Sequence, residues 1–266
     1  MKPAASIDVN TKFIFHTMDA LEGRAFKKPD EFGPEDVNPA TGPIFINGAK
    51  PGTVLVVRIL AIRPVNTGYA GAGSGAQRIV RQFNISGNEI RFSDHISLEM
   101  QPMIGVIGVA PREGRYSNMV AGDHGGNMDC NLARAGATVY LPIFTEGGLL
   151  AMGDVHAVMG DGEVGGQGIE VAADIEIEVG IENWRLKRPL IETDEVWATV
   201  AAARDFMTAA WTAVGDMVGY IGMRFGLSPP EALLLVSLAG NVRVCQIVTD
   251  MPTARVELPK RTKMNV

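Results

Sequence analysis

The clearest periodicity in the chain runs from Ile169 to Ile181. Ile169, Val171, Ala173, Ile175, Ile177, Val179 and Ile181 take the odd positions, while Glu170, Asp174, Glu176, Glu178 and Glu182 take even ones. A period of two sends alternate side chains to opposite faces of a strand, so one face should meet the core and the acidic face, Glu170 included, should meet water. That is the signature of an antiparallel, half-solvated sheet. Thr53 to Ile62 (TVLVVRILAI) is a β-branched run closed by Arg63-Pro64, which predicts a strand buried on both faces. Met103 to Ala110 (MIGVIGVA) reads as a glycine-interrupted strand, and Thr138 to Phe144 as a short one.

Turn signals fill the remainder of the first half. The opening forty or so residues are rich in Pro and Asp, and Asn38-Pro39, Gly42-Pro43 and Pro51-Gly52 punctuate the stretch up to Thr53, a pattern of short β segments rather than helices. Gly68 to Gly75 (GYAGAGSG) is a loop by composition. After Glu192 the period lengthens: Val200, Ala203, Met207, Ala210, Val214, Met217 and Ile221 recur at three- and four-residue steps, predicting an amphipathic helix that ends at Gly226. The aromatic and Met positions within Trp197 to Met223 share that spacing and are expected in the core. Ser228-Pro229-Pro230-Glu231 carries an N-cap serine, a first-turn proline and a capping-box glutamate. The helix it opens, ALLLVSLAG, is apolar nearly all round, so burial is expected, with a subunit interface as one place for it.

Strands first and helices last imply a mostly β fold of antiparallel sheets, sandwich-like or jelly-roll-like, with a small helical C-terminal part. The expected division is a β-rich body over residues 1–192 and a helical part over 193–266 packed on it as one intertwined unit. There is no internal repeat.

Composition narrows the function. The chain has 266 residues, 46% of them hydrophobic and 20% charged, with a net charge of −6. Only Lys260 to Lys263 clusters basic residues, which argues against nucleic acid as a partner. MKPAASIDVNTKF lacks the apolar run of a secretory signal, and Ala232 to Gly240 is too short to span a bilayer, so no membrane partner is expected. Cys130 and Cys245 are too few for a disulfide framework, which points to a reducing cytoplasm.

Candidate chemistry concentrates between Gly122 and Glu170. His124 to Asp129 (HGGNMD) offers imidazole and carboxylate around a Gly-Gly pair that lets the backbone fold sharply. Asp154-x-His156, if extended, points both side chains to one face, as two ligands or as a carboxylate orienting a histidine. Asp161-x-Glu163 repeats the spacing in a glycine turn. Together these supply enough nitrogen and oxygen for one metal, or for a metal plus a general base. Each cluster also has an ordinary structural reading as a polar turn or strand end.

Other signals fall away. Gly160-x-Gly162-x-x-Gly165 fits a dinucleotide fingerprint, but a strand follows it where a helix N-terminus is needed. Asn127-x-Asp129-x-Asn131 lacks the closing Glu of a calcium loop, since Thr138 stands there. No G-x-S-x-G elbow occurs. Cys130 is either a thiolate nucleophile or a small buried hydrophobe. His16 and His95 are assigned nothing.

NPATGPIF at Asn38 to Phe45, KPG at Lys50 to Gly52, MIGVIGVAP, HGGNMD, the run GATVYLPIFTEGGLLAMGDVHAVMGDGEVGG and AGN at Ala239 to Asn241 together resemble the acetamidase/formamidase family, from about Asn38 to Leu258. The resemblance implies hydrolysis of a small amide such as formamide or acetamide to ammonia and the carboxylate. It also implies a homodimer or higher homo-oligomer, and a divalent metal ion, zinc first and calcium second. Carried over by position, His124, Asp129 and His156 become the metal ligands, Glu163 and Asp154 the catalytic carboxylates, and Gly126, Asn127 and Asp161 the substrate contacts. Two alternatives stay open: a Cys130-dependent amidase, and a non-catalytic β protein that binds a metal or small molecule. The chain departs from the family pattern at Met159, where Gln is common, and at Cys130, where Thr is.

Overall fold

The structure, a computed structural model, describes residues 2–24, 37–73 and 77–260. Much of the Pro- and Asp-rich opening, the end of the Gly68 to Gly75 run, and the basic tail past Lys260 lie outside the described residues. In chain order come β1 (Ala5–Ile7), β2 (Lys12–Thr17), β3 (Ala40–Ile46), β4 (Val54–Pro64), β5 (Thr67–Ala72), β6 (Ile79–Asn84), β7 (Glu89–Arg91), β8 (Ser97–Glu99) and β9 (Met103–Gly108). Then follow β10 (Ala121–Gly122), β11 (Gly125–Asn127), β12 (Thr138–Pro142), β13 (Leu150–His156), β14 (Glu170–Val171), β15 (Ala173–Glu182), β16 (Leu190–Glu192) and β17 (Val196–Ala202). Helices α1 (Phe206–Phe225) and α2 (Pro229–Ala239) precede the closing strands β18 (Asn241–Gln246) and β19 (Thr253–Pro259).

Two sheets result. One runs β10-β11-β9-β13-β14-β5-β6, with β3 on β13 and β1 on β3; the other runs β18-β19-β17-β16-β12-β4-β15-β2. Apart from the parallel β1/β3 pair, the ladders between these strands are antiparallel. Ile104, Ile107, Leu150 and Val155 of the first sheet share one apolar cluster with Val57, Val139, Ile175 and Val179 of the second, which makes the body a β-sandwich. The second sheet runs through residue 192, because β16 pairs with β17. The C-terminal part therefore contributes three strands as well as two helices.

The alternation in β15 follows the sequence: Ile175, Ile177 and Val179 are fully buried, and Glu176 and Glu178 reach across to Arg63 and Arg58 of β4 at 2.5 and 3.1 Å. These solvent-facing pairs contribute little to stability. β4 is buried on both faces only from Val54 to Val57 and alternates beyond. The single strand expected from Ile169 to Ile181 is broken at Ala172, and the break overturns the expected place of Glu170, which is 4% exposed on β14. The chain changes sheets at Ala172, β14 pairing with β13 and β5 in the first sheet and β15 with β4 and β2 in the second, so the acidic face of β15 does not continue through Glu170.

Gly68 to Ala72 is strand, not loop: β5 pairs with β6 along its length and with Glu170 at Tyr69. The glycine there answers to close packing, since a Cβ at Gly68 would meet Ile169 and Ile85 side-chain carbons at 2.8 Å. The helix expected from Val200 begins instead at Phe206, capped by Asp205, whose carboxylate accepts from Thr208 N–H at 2.8 Å. Val200 belongs to β17, where pairing with β19 overrides a spacing that also suits a helix. Gly226 closes α1 in the left-handed conformation, φ 67°. Met207, Trp211 and Met223 are exposed rather than core, because Ala209, Ala213, Met217 and Ile221 occupy the inward face. In α2, whose Ser228 N–H donates to Glu231 at 2.9 Å, only Ala232 and Val236 are buried. Leu233, Leu234 and Leu238 are exposed in the single chain, contrary to the expected burial.

Candidate active site

The site forms where β9, β13 and β14 lie side by side, with two loops folded over them. Asp129 follows β11, Asp154 and His156 are on β13, Glu163 lies in the glycine turn after it, and Glu170 pairs with His156 across the β13/β14 ladder. Three of these carboxylates stand on left-handed backbone: Asp129 at φ 45°, Asp154 at 56° and Glu163 at 48°. Asn38, which donates to Asp154 Oδ2 at 3.0 Å and to Asn127 Oδ1 at 3.2 Å, has φ 50°. Such backbone costs on the order of 1 kcal/mol per residue and persists only where surroundings enforce it, a pattern concentrated at functional sites. Asp154 thus reaches the side of His156 by a local left-handed twist, not by the extended alternation that its spacing suggests.

His156 is the centre. Its Nε2 lies 3.2 Å from both oxygens of Glu170, aligned as a hydrogen bond with Oε1, 3.7 Å from Asp154 Oδ1 and 4.0 Å from Glu163 Oε1. Its Nδ1 is 3.2 Å from Met103 Sδ. The potential ligand atoms of Asp129, Asp154 and His156 fall within 4.8 Å of one another, as do those of His156, Glu163 and Glu170. Gly105 of β9 makes this approach possible: a Cβ there would sit 2.6 Å from Asp129 Oδ1 and 2.7 Å from Asp154 Oδ2. At Gly168 a Cβ would meet His156 Cγ at 2.8 Å.

Burial sets the electrostatics. It drives the Asp129 carboxyl well above the ordinary range, with Asp154 and Glu163 adding repulsion, and lifts Asp154 to about 7 with help from Glu170. Burial likewise raises Glu163, and raises Glu170 well above its usual value. At an effective dielectric of about 20, two unit charges about 4 Å apart repel by about 4 kcal/mol, so four ionised carboxylates do not coexist here without a compensating cation. Both Asp129 oxygens, Asp154 Oδ1 and Glu170 Oε2 are buried with no hydrogen bond among the described residues. Buried carboxylate oxygens rarely stay unpaired. Orphan oxygens, excess negative charge and one imidazole nitrogen fit a divalent cation.

Residues 117–262 match the Acetamidase/Formamidase family. The acetamidase of Bacillus halodurans superposes with a TM-score of 0.94 at 36% identity, over 98% of this chain and 92% of that one. The chain belongs to the acetamidase/formamidase family. A predicted acetamidase/formamidase from the thermophile Thermoanaerobacter tengcongensis gives a TM-score of 0.93 at 40% identity, over 98% and 91% of the two chains. A formamidase of Methylophilus methylotrophus is 36% identical over 91 residues, a match that spans 32% of this chain and 22% of that protein.

Within the segment matched to the family, the structure brings together four of the residues singled out in the sequence, Asp129, Asp154, His156 and Glu163, and adds Glu170. It sets two apart. His124, in the turn between β10 and β11, is outside both convergent groups; its ring packs 4.9 Å from that of Tyr116, and it lines a neighbouring cavity of about 220 Å³ with Val106, Gly126 and Ala151. Burial lowers its pKa against the opposing pull of Asp123. Asp161 faces Arg243, Arg255 and Asn131. Asn127 is buried and bound to Asn38, and a Cβ at Gly126 would strike Val120 O at 2.4 Å. Cys130 is fully buried beside Cys245 and presents no surface to a substrate.

Sequence reading missed Glu170, Asn38 and Gly105. The crossing between sheets that buries Glu170 leaves no mark in the alternation, which runs in phase through Ala172 and Ala173. Asn38 and Gly105 act through contacts with residues far along the chain, which no local pattern reports.

Proposed function

We propose that the chain hydrolyses small linear amides, of the formamide and acetamide type, to ammonia and the carboxylate, with a divalent cation held by the buried cluster. Family membership supports the amide reaction, and the observation that carries the cation is the set of orphan oxygens on Asp129, Asp154 and Glu170 around His156. When bound, such a cation polarises a carbonyl and brings a nearby water to a pKa of about 7.

The chain's own residues supply the rest. Asp129, Asp154 and His156 are the ligands we assign, and the imidazole nitrogen favours zinc over calcium, which takes oxygen. Glu170 faces the same Nε2 that points at Asp154 and Glu163, so with a cation bound there it serves as a further ligand. Glu163 takes the proton from the attacking water and returns it to the leaving nitrogen, a task helped by its raised pKa. Backbone N–H groups of the surrounding glycine turns stabilise the oxyanion. Asn38 holds Asp154 in place.

The exposed Leu233, Leu234 and Leu238 of α2 support a homo-oligomer, which light scattering on the purified protein tests directly. No helix among the described residues is long and apolar enough to cross a membrane. Two cysteines, both free, support a reducing, cytoplasmic setting.

The decisive experiment measures ammonia release from formamide, acetamide and longer amides before and after chelation, with zinc or calcium added back. Activity should vanish with the metal and return with zinc. Undiminished turnover by protein shown free of metal by elemental analysis would sink the cation's role. In the same series, His156→Ala should lose the bound cation, while His124→Ala should keep one equivalent; the reverse result would move the site to His124.

A further inference from the structure

Among the described residues a single guanidinium is buried, that of Arg255 on β19, 2% exposed. Burying such a charge is costly unless its donors are met. They are: Nη2 lies 2.9 Å from Asp161 Oδ1 and 3.1 Å from Oδ2, Nε donates to Glu257 at 2.6 Å, and Nη1 donates to the Val244 carbonyl at 2.8 Å. No nitrogen is left over for a substrate. Arg255 is therefore built into the scaffold, and the question is what it holds.

Its partner Asp161 precedes Glu163 by two residues. The same carboxylate accepts from Asn131 Nδ2 at 2.8 Å, and Asn131 follows Asp129 by two. One aspartate thus joins the loop carrying the proton carrier to the loop carrying a cation ligand. The backbone repeats the connection: Gly162 bridges Gln246 of β18, donating to the Cys245 carbonyl at 2.9 Å, and Thr253 Oγ1 donates to the Met128 carbonyl at 2.8 Å. Although partial burial acts the other way, Arg243 and Arg255 hold the Asp161 carboxyl below its usual range. Asp129 and Glu163 have left-handed backbones, which need such outside support.

We propose that Arg255 is a positioning residue which, through Asp161, fixes the spacing of Asp129 and Glu163 in the active site. The clamp itself stands on geometry alone, while its consequence for turnover rests on the function proposed above. Asp161 then has no contact with substrate, in place of the substrate role that family resemblance implies for it.

The test compares Asp161→Asn, Arg255→Lys and Arg243→Ala in the metal-loaded full chain by hydrogen exchange, melting temperature and steady-state kinetics on short amides. Asp161→Asn should speed exchange by about tenfold or more in both site loops, around residues 127–132 and 159–166, and lower kcat by about 10- to 100-fold with KM within about threefold. Arg255→Lys, which keeps the charge but loses the fork, should fall between Asp161→Asn and wild type. Arg243 is half exposed, so Arg243→Ala should change exchange rates and kcat by less than about twofold and the melting temperature by less than about 3 °C. Unchanged exchange in either loop of folded Asp161→Asn overturns the clamp, and loosened loops with full kcat overturn its catalytic role. Should Asp161→Asn not fold, Arg255→Lys decides on the same criteria. A wild-type protein that releases no ammonia from any amide defeats the proposed function, and the exchange data still decide the clamp.

Discussion

Glu170 stands opposite His156 in the β13/β14 ladder, its carboxylate 3.2 Å from the imidazole Nε2 and almost wholly out of water. Nε2 is also the nitrogen that faces Asp154 and Glu163, so a cation held there would take Glu170 as a charged neighbour in its own shell, and losing a group at such a site lowers metal affinity or activity by about 10- to 100-fold. Glu170→Gln keeps the shape and removes the charge. Its kcat/KM on short amides should drop by about that factor, with a parallel loss of cation affinity measured by calorimetry. Wild-type values for both would remove Glu170 from the site.

Gly105→Ala should be among the most damaging single-methyl changes in the protein. The added carbon would meet two carboxylate oxygens and the Asp154 carbonyl, all within 2.7 Å. Overpacking of this kind costs about 1–3 kcal/mol, and displacing reacting groups by about 1 Å costs on the order of 100-fold in rate. Urea denaturation and amide turnover measure the two effects. A folded variant with normal turnover would show that Asp129 and Asp154 need not converge.

Stability of the metal-free protein should fall as pH rises from 5 to 8. Burial, reinforced by mutual repulsion, raises the site carboxyls, Asp154 to about 7. The folded state therefore holds protons that the unfolded chain has already released, so this contribution favours folding at low pH and is lost as pH climbs through the folded values. Asp161 and Glu192, whose folded values are lowered, act in the opposite sense but outside that window; His124, which burial lowers, adds stability as pH rises from 5 toward its ordinary 6.5 and offsets part of the fall caused by the several raised carboxyls. Calorimetry at pH 5 and 8 should show a melting temperature lower at pH 8 by roughly 2–10 °C. Added zinc should raise it most at pH 8, where it does not compete with protons. A metal-free melting temperature that rises with pH would contradict the raised carboxyls.

Much of the fold was legible because local pattern and tertiary environment agree. β4, β9, β12 and β15 follow from runs of apolar residues, and Gly226 and Ser228 mark helix boundaries through chemistry confined to a few neighbours. Asp129, Asp154, His156 and Glu163 stood out because polar groups in glycine turns are conspicuous against strands. What escaped depends on partners distant in the chain. β5 is strand because β6 and β14 flank it, Val200 is strand because β19 pairs with it, and α2 is amphipathic only in relation to the sheet beneath it. Arg255 looked like any strand arginine until Asp161, 94 residues away, met it.

The left-handed backbones of Asp129, Asp154 and Glu163 also bear on how the chain can change. Glycine would adopt each conformation without strain, so selection acting on foldability alone would drain these three positions of their side chains first. This chain carries carboxylates there all the same. A lineage released from its chemistry would then betray itself by glycine at these turns while the sandwich around them stayed intact.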